Sequence, residues 1–184
     1  FFDKPITIYG KNKLECERYG VEKTNENFEF RCIRFPGIIS ATSVPSGGTS
    51  DYAPEMIHAA AQNMKYICFV NKTTQIPFIV MPDAISAINQ IMKVPYGRLQ
   101  HHIYNITSFH PTVIDFYHET KKYFQNFNLS YKVDLLRQNI VNSWPKNIND
   151  ENAKKDWGWS PKYNLKQSYK DYLIPNIIKY YESN

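Results

Sequence analysis

The sequence has few cysteines and few glycines, and each shortage excludes a kind of site. Its three cysteines are odd in number and widely spaced, with no C-x-x-C pair: Cys16, Cys32 and Cys68. This pattern predicts reduced, buried thiols in an intracellular protein and not a disulfide framework. The seven glycines contain neither the G-x-G-x-x-G fingerprint of a dinucleotide site nor a P-loop. Either the protein does not act on nucleotides, or its phosphate-binding residues lie outside this sequence.

Long apolar runs and blocks of like charge are also missing. No apolar run approaches the roughly 20 residues of a membrane span, and the first residues, Phe-Phe-Asp-Lys-Pro, are not a signal peptide. We therefore expect no membrane partner. Lysine and arginine outnumber aspartate and glutamate by 22 to 17, but they are scattered, and no polybasic arm indicates a nucleic-acid partner. The five histidines lack ligand-like spacing with acidic residues or cysteines, so we predict no metal site.

Helical and strand patterns alternate along the chain, and 42 % of its residues are hydrophobic, which is enough for a core. Helices are predicted at 9–24, 51–64, 82–93, 111–124, 150–156 and 165–173, and Pro175 should kink or end the last one. Strands are predicted at 28–35, 66–70, 76–81, 102–106 and 129–133, with irregular segments over 37–50 and 134–149. This alternation indicates a single α/β domain with a largely parallel sheet.

Two of the predicted helices carry side chains that we expect to face the core. The clearest is 82–93, whose apolar residues recur at i, i+1, i+4, i+7 and i+8. Those residues are Ala84, Ile85, Ile88, Ile91 and Met92. In the first helix, the expected packing positions are Leu14, Cys16 and Tyr19.

The first helix also holds the two residues with the clearest chemical use, Tyr9 and Lys13. Because they are four residues apart, both side chains project from one face of the helix, about one turn apart. The positive charge of an ammonium favours the phenolate of a neighbouring tyrosine, which can then act as a base. Tyrosine and lysine often fall at this spacing by chance, so the pair alone does not define an active site.

Longer blocks of sequence connect this pair to a known family. They are Tyr9-Gly10-x-x-Lys13-x-x-x-Glu17, the segment 31–40, Gly47-Gly48-Thr49-Ser50-Asp51-Tyr52-Ala53, Ser143-Trp144-Pro145 and Asp156-Trp157-Gly158-Trp159. By these blocks the sequence resembles the NAD-dependent L-threonine 3-dehydrogenases, which are extended short-chain dehydrogenase/reductases. The resemblance covers essentially all 184 residues. One departure is Ser50, which stands where the family commonly has a second threonine and which keeps the hydroxyl.

The resemblance implies an α/β fold that is the C-terminal part of a Rossmann-type parallel sheet with a small α/β substrate-binding lobe, as one unit over 1–184. The match begins at the segment with the catalytic tyrosine. The family's N-terminal nucleotide-binding half, with its glycine-rich loop and catalytic serine or threonine, is therefore expected to be absent from this chain. We expect the chain alone to be inactive.

By the same resemblance, Tyr9 is the general base that takes the proton from the C3 hydroxyl of L-threonine. Hydride passes from C3 to NAD, and the product is 2-amino-3-ketobutyrate. Lys13 holds Tyr9 ionised and binds the hydroxyls of the nicotinamide ribose. The family implies nicotinamide contacts at Pro36, Gly37 and Ile38, although a Pro-Gly pair after a strand is also an ordinary turn.

Two further residues are expected to bind the substrate. Thr49 offers a hydroxyl and backbone N–H groups to the carboxylate or amino group of threonine, and its alternative role is an ordinary helix cap. Trp144 would form a wall of the substrate pocket, and its alternative is a buried core tryptophan. Trp157 and Trp159 are assigned to packing.

The resemblance also implies a homodimer whose interface uses the helices near 9–24 and 51–64. It implies a mitochondrial location in a eukaryote and a cytoplasmic one in a bacterium. Two alternatives stay open: a nucleotide-sugar epimerase or dehydratase of the same superfamily, or a non-catalytic fragment that serves as an interaction module. A glycine-rich strand–loop–helix elsewhere in the encoded protein would favour an enzyme over the last of these.

Overall fold

The computed structural model describes residues 4–183. Across this range helices and short strands alternate: α1 (Ile8–Glu22), β1 (Cys32–Arg34), β2 (Gly37–Ile39), α2 (Tyr52–Ala61), β3 (Tyr66–Cys68), β4 (Phe78–Val80), α3 (Met81–Lys93), β5 (Ile103–Asn105), α4 (Val113–Tyr123), β6 (Leu129–Tyr131), α5 (Leu135–Asn142), α6 (Glu151–Trp157), α7 (Leu165–Ser168) and α8 (Ile174–Glu182). This alternation confirms the α/β class. Within 4–183, no helix is long and apolar enough to cross a membrane.

The strands form three parallel pairs. β1 pairs with β5, β2 with β4, and β3 with β6, each over three residues. Parallel partners need a crossover connection, and helices lie in these connections. The parallel pairing inferred from the alternation is therefore confirmed. Because ligands of such folds bind beyond the carboxyl ends of the strands, the segments after β1 and β2 are natural places for a site.

The prediction that 37–50 is irregular throughout is wrong for its first three residues, which form β2. This strand runs beside β4 with Gly37 opposite Phe78. A Cβ on Gly37 would lie 2.8 Å from atoms of the Phe78 ring, so glycine is required where the two strands meet. The sequence conceals β2 because Pro36-Gly37 is a turn signal and three residues are too few to show alternation.

The prediction that 134–149 is irregular is wrong for α5. Asp134 caps this helix, and its carboxylate accepts the N–H of Leu136 at 2.9 Å and that of Arg137 at 3.2 Å. Periodicity does not reveal the helix because Leu135 and Leu136 are both exposed, so its apolar residues form no core-facing stripe.

Two hydrophobic clusters form the core. In the larger one, α2 packs against α4 and α8, and Tyr52, Phe78 and Phe116 meet edge to face with ring centroids 5.1–6.4 Å apart. The smaller one lies beneath α3 and α6 and includes Trp159, with Trp157 packed against it. The packing role predicted for both tryptophans is confirmed.

Asp156 anchors α6 to β5. Its carboxylate accepts a hydrogen bond from the Tyr104 hydroxyl at 2.8 Å and lies 2.9 Å from Nδ1 of His101. Burial acts to raise the pKa of Asp156, but the hydrogen bonds from His101 and Tyr104 outweigh it and hold the pKa below its usual value. Gly158 then ends α6 at φ +74°, a left-handed conformation that favours glycine. The Asp-Trp-Gly-Trp block is thus an anchor of the fold.

The core-facing stripe predicted for α3 is wrong for three of its five residues. Ala84 and Ile91 are buried, but Ile85, Ile88 and Met92 are exposed. The buried face includes Ala87 instead. Small side chains at 84 and 87 allow the helix to lie close to the strands beneath it, and the larger ones then point outward.

The face of α1 that packs against the rest of the chain also differs from the predicted one. Leu14 is half-buried, whereas Cys16 and Tyr19 are exposed. The buried residues of this helix are Glu17 and Gly20. A Cβ on Gly20 would lie 2.4 Å from the ring of Phe30, so α1 packs through a glycine and not through an apolar stripe.

α2 lies inside the chain, against α4, α8 and β3. Eight of its ten residues are buried. The dimer contact predicted for the helix near 51–64 stays a prediction.

The last helix is predicted to kink or end at Pro175, and its regular α-helical form is interrupted just before that residue, although helical structure continues beyond it. A π-helical turn at Tyr169–Leu173 joins α7 to α8, and Pro175 falls in the first turn of α8, where a missing N–H costs little. The turn places Tyr172 so that its hydroxyl oxygen accepts the N–H of Ala41 at 3.1 Å. The C-terminal helix therefore holds the segment that follows β2.

Candidate active site

Tyr9 and Lys13 lie on one face of α1, near its start. Thr7 caps the helix, and its hydroxyl oxygen accepts the N–H of Gly10 at 3.0 Å. Nζ of Lys13 is 5.5 Å from the centroid of the Tyr9 ring. Both side chains are exposed, Tyr9 to 73 %. A phenol and an ammonium are therefore close together and accessible.

The Tyr9–Lys13 pair borders a cavity of about 680 Å³ that runs along β1. Its walls come from α1, from β1 with the residues around it, and from the end of α5. They include Tyr9, Lys13, Leu14, Cys32, Phe35 and Ser143. Ser143 shows that the Ser-Trp-Pro segment, which is remote in sequence, reaches the same space as the pair.

Glu17 and Arg34 fix α1 against β1. The Arg34 guanidinium donates to both carboxylate oxygens of Glu17, at 2.7 and 2.5 Å. The two side chains are only 11 % and 29 % exposed, respectively, so water screens this bidentate pair less than a surface pair. Glu17 lies one turn after Lys13, and the pair therefore sets the direction in which Tyr9 and Lys13 project. The resemblance included Glu17 but did not reveal its partner, because sequence spacing does not relate α1 to β1.

Cys32 lines the same cavity and is half-buried. Burial raises the pKa of its thiol, and the nearby Glu17 carboxylate acts in the same direction. The thiol is therefore protonated at neutral pH. The prediction of buried thiols is correct for Cys68 but wrong for Cys16, which is exposed.

The segment predicted to contact nicotinamide divides between the cavity and β2. Phe35 lines the cavity, and half-buried Pro36 follows it directly. Gly37 and Ile38 already belong to β2. The absence of a side chain at Gly37 is explained by the Phe78 ring and does not by itself indicate a ligand.

Thr49 lies in a tightly held loop, the Gly-Gly-Thr loop (46–50). The Asp51 carboxylate accepts the N–H of Ser46 at 3.2 Å and that of Gly48 at 2.7 Å. Asp51 occupies the N-cap position of α2, so the alternative of Thr49 as an ordinary cap does not apply. Because a carboxylate already accepts two of the loop's N–H groups, this helix start is unsuited to a phosphate.

Trp144 lies in a second cavity, of about 310 Å³, between α5 and the turn 71–75. It is 36 % exposed, so it is not a core tryptophan. Its neighbour Ser143, and not Trp144, lines the cavity of Tyr9 and Lys13. The structure therefore groups Tyr9, Lys13 and the start of the Pro36 segment, and it places Thr49 and Trp144 in neighbouring parts of the molecule.

The residues present fit one end of a dinucleotide. The Lys13 ammonium and Tyr9 hydroxyl lie at the cavity wall, where they suit ribose hydroxyls. Residues 4–183 include no loop with the G-x-G-x-x-G spacing, so the described part of the chain lacks the usual phosphate cradle. No group of three or more His, Cys, Asp or Glu side chains in this range is arranged to hold a metal ion.

Comparisons with known proteins agree with this geometry, although no family model matches the sequence. The mitochondrial L-threonine 3-dehydrogenase of Bos taurus is 37 % identical over 188 aligned positions, covering 98 % of this chain and 47 % of the relative. An uncharacterized epimerase/dehydratase of Staphylococcus aureus (strain USA300) is also 37 % identical, covering 88 % of this chain and 51 % of the relative. The solved GalE-like L-threonine dehydrogenase of Cupriavidus necator superposes with a TM-score of 0.88 at 34 % identity, covering 94 % of this chain and 62 % of that one.

The chain therefore has the Rossmann-like α/β fold of the GalE-like epimerase/dehydratase superfamily. Within that superfamily it is homologous to the L-threonine 3-dehydrogenases. It spans about half the length of the curated relatives it matches.

Proposed function

We propose that this chain forms the carboxyl-terminal half of an NAD-dependent L-threonine 3-dehydrogenase, which oxidises L-threonine at C3 to 2-amino-3-ketobutyrate. The accessible Tyr9–Lys13 pair beside β1 supports this function most directly. Oxidation of a secondary alcohol requires removal of its hydroxyl proton, and a phenol next to a cation suits that task. The identity to bovine L-threonine 3-dehydrogenase supports the choice of substrate.

Tyr9 acts as the general base. Its phenolate oxygen takes the proton of the C3 hydroxyl as the carbon–oxygen bond becomes a carbonyl. NAD+, when bound, supplies the acceptor for the hydride that leaves C3. Lys13 keeps a positive charge beside the phenolate and binds the ribose hydroxyls. The Glu17–Arg34 pair holds α1 so that both side chains face the cavity.

The remaining contacts with cofactor and substrate are assigned from the two cavities and from the Gly-Gly-Thr loop. Pro36, Gly37 and Ile38, in the segment after β1, would hold the nicotinamide, and the position of Phe35 in the cavity wall supports this assignment. Thr49 binds the carboxylate or amino group of threonine through its side-chain hydroxyl, because Asp51 already accepts two of the N–H groups of the firmly held Gly-Gly-Thr loop. Trp144 forms an outer wall, with Ser143 between it and Tyr9.

The decisive experiment is an assay of the complete gene product for NADH formation with L-threonine. We expect NADH only when L-threonine is present, and the 2-amino-3-ketobutyrate formed should be trapped by its carbonyl. L-serine and L-allo-threonine serve as controls for the C3 substituents. No threonine-dependent NADH from well-folded protein would overturn the substrate assignment.

The second candidate is an epimerase or dehydratase that acts on a nucleotide sugar. The Staphylococcus aureus relative, an uncharacterized epimerase/dehydratase that is as identical to this chain as the bovine enzyme, favours this possibility. The same preparation should be incubated with UDP-glucose and with GDP-mannose, and the products separated by chromatography. Interconversion of a nucleotide sugar without threonine oxidation would establish this candidate in place of the first.

The 184-residue chain alone tests the half-site interpretation. It should show no measurable NAD binding by calorimetry, because residues 4–183 lack the usual phosphate cradle. A non-catalytic interaction module, the third possibility, would also fail to bind NAD. Activity of the complete gene product would exclude that possibility. Saturable binding of NAD to the isolated chain would contradict the half-site interpretation.

We further propose that the complete enzyme is a homodimer whose interface uses the exposed face of α1 together with the helix near 51–64. The exposed apolar side chains of Ile8 and Tyr19, which are about three turns apart on one face of the helix, support this contact. Light scattering should give twice the chain mass, and aspartate at Tyr19 should shift it toward the monomer. The compartment is the mitochondrion in a eukaryote and the cytoplasm in a bacterium, and the mitochondrial bovine and porcine relatives support the first case.

A further inference from the structure

Arg137 crosses from α5 to the Gly-Gly-Thr loop. Its guanidinium donates hydrogen bonds to the carbonyl oxygens of Gly47 at 3.0 Å and of Gly48 at 2.5 Å. The guanidinium carbon also lies 3.2 Å from the centroid of the Phe69 ring, which is buried. Arg137 is therefore packed against the fold and already bonded to the loop.

Asp51 holds the same loop from its other side. Its carboxylate accepts the N–H of Gly48, while Arg137 donates to the carbonyl oxygen of that residue. Gly47 adopts φ +92°, a conformation that side chains rarely allow, and nothing lies within 4 Å of where its Cβ would be. Glycine backbones lose more conformational freedom on ordering than any other residue. A loop of this kind is ordered because two opposite charges hold its backbone.

The helix that carries Arg137 also reaches the cavity of Tyr9 and Lys13. α5 begins at the Asp134 cap, and the Asp134 N–H donates to the Phe69 carbonyl oxygen at 2.9 Å. The helix ends next to Ser143, which lines that cavity. α5 is thus fixed at Phe69, tied to the Gly-Gly-Thr loop through Arg137, and adjacent at its end to the cavity that Tyr9 borders.

We propose that Arg137 is a positioning residue that sets the orientation of Thr49 relative to the Tyr9 cavity and thereby determines how tightly the enzyme binds its substrate. This inference rests on the proposed function for the role of Thr49 in substrate binding. Arg137 acts through the loop backbone and touches no reacting atom.

The chemistry of the contact requires arginine. A guanidinium presents several N–H donors in one plane and can stack on an aromatic ring while it donates at its edge. An ammonium at the same position keeps the charge, but it loses both the planar fork and the stacking on Phe69. Lysine at position 137 is therefore expected to hold the Gly-Gly-Thr loop less firmly than arginine does.

The test uses the complete, active protein with three variants. Arg137→Met keeps the aliphatic stem and removes the donors, Arg137→Lys keeps the charge, and Asn139→Ala changes an exposed residue of the same helix as a control. We expect Arg137→Met to raise the KM for L-threonine at least roughly 10-fold, with kcat and the KM for NAD within about 3-fold of the parent. The KM of Arg137→Lys for L-threonine should lie between the values for Arg137→Met and the parent, and the KM of Asn139→Ala should match that of the parent.

A second readout is independent of the reaction. Hydrogen exchange of the backbone amides over 46–51, followed by mass spectrometry, should become at least roughly 10-fold faster in Arg137→Met and stay unchanged in Asn139→Ala. A circular dichroism melt of each variant ensures that a global loss of folding is not mistaken for loop release, and Arg137→Lys serves if Arg137→Met does not fold.

The two readouts separate the positioning role from the proposed function. Faster exchange with a raised KM supports the positioning role. Unchanged exchange, or faster exchange with an unchanged KM, overturns it. A parent protein that does not oxidise threonine would overturn the proposed function, and the role of Thr49 in binding threonine with it, while the exchange rates would still decide whether Arg137 holds the loop.

Discussion

Two Tyr–Lys pairs at the same spacing lie along α1 and its C-terminal cap, and only the first pair borders the cavity along β1. Tyr9 and Lys13 are 5.5 Å apart from ring centroid to Nζ, and Tyr19 and Lys23 are 5.1 Å apart. Tyr19 is 63 % exposed, against 73 % for Tyr9. Neither spacing, distance nor exposure distinguishes the two pairs, so the local motif cannot be what makes a site.

The surroundings distinguish them. Tyr9 and Lys13 border the cavity along β1, whereas Lys23 is at the end of the helix and pairs with Glu22 at 3.1 Å on the surface. The Glu17–Arg34 pair lies between the two and orients the first pair toward β1. A catalytic Tyr–Lys pair is therefore defined by the contacts that fix its helix to the rest of the fold. The variants below test this by making the same kind of change at two comparable positions along α1 and its cap.

The largest effect is expected from removal of the two tyrosine hydroxyls. Tyr9→Phe should lower kcat of the complete enzyme on the order of 10²–10⁴-fold, the usual contribution of a general base. NAD binding by fluorescence quenching should stay within a few-fold, since the ring remains. Tyr19→Phe, which makes the same chemical change two residues beyond Glu17, should retain full turnover. Equal losses in both variants would mean that the cavity does not distinguish the pairs.

Replacing the two lysines should likewise reduce activity at the first pair and not at the second. Lys13→Met removes the cation next to Tyr9 and is expected to lower kcat/KM for NAD on the order of 10²-fold, because both proton removal and ribose binding depend on it. Steady-state kinetics with NAD as the varied substrate measures the loss. Lys23→Met should leave the same parameter unchanged. Activity of Lys13→Met close to that of the parent would remove this residue from the site.

The two glutamates compare a partly buried ion pair with a surface pair. Glu17→Gln removes the carboxylate that accepts two hydrogen bonds from Arg34 and should lower the free energy of unfolding by about 2–3 kcal/mol, less than for a fully buried pair because Arg34 keeps some exposure. Glu22→Gln breaks only an exposed contact with Lys23 and should change it by less than about 0.5 kcal/mol. Urea unfolding of both variants measures the difference. A loss of stability in Glu22→Gln as large as in Glu17→Gln would contradict the assigned anchoring role.

Sequence reasoning found the Tyr9–Lys13 pair and most element bounds, because both depend on short-range spacing. It missed Arg34 as the partner of Glu17 and Arg137 as the partner of the Gly-Gly-Thr loop. Such contacts join elements that are far apart in the chain, and no local period encodes them. The buried face of α3 was predicted wrongly for a related reason. An apolar stripe indicates which side chains favour burial, but it does not indicate which element of the fold packs against them.

The smallest expected effect comes from the two helix glycines, which test what fixes each end of α1. In Gly20→Ala the new Cβ would lie 2.4 Å from the Phe30 ring, so the helix or the ring must shift, at a cost of about 1–2 kcal/mol after the gain in helix propensity. In Gly10→Ala it would lie 2.8 Å from Cβ of Pro5, which is half-buried, lies in the segment that precedes the helix and is not one of the core residues. That segment can move, so the stability should change by less than about 1 kcal/mol. Thermal unfolding ranks the two variants. If Gly10→Ala proved the more damaging, the Tyr9 end would be the packed end of α1, and the exposure of Tyr9 would need another explanation.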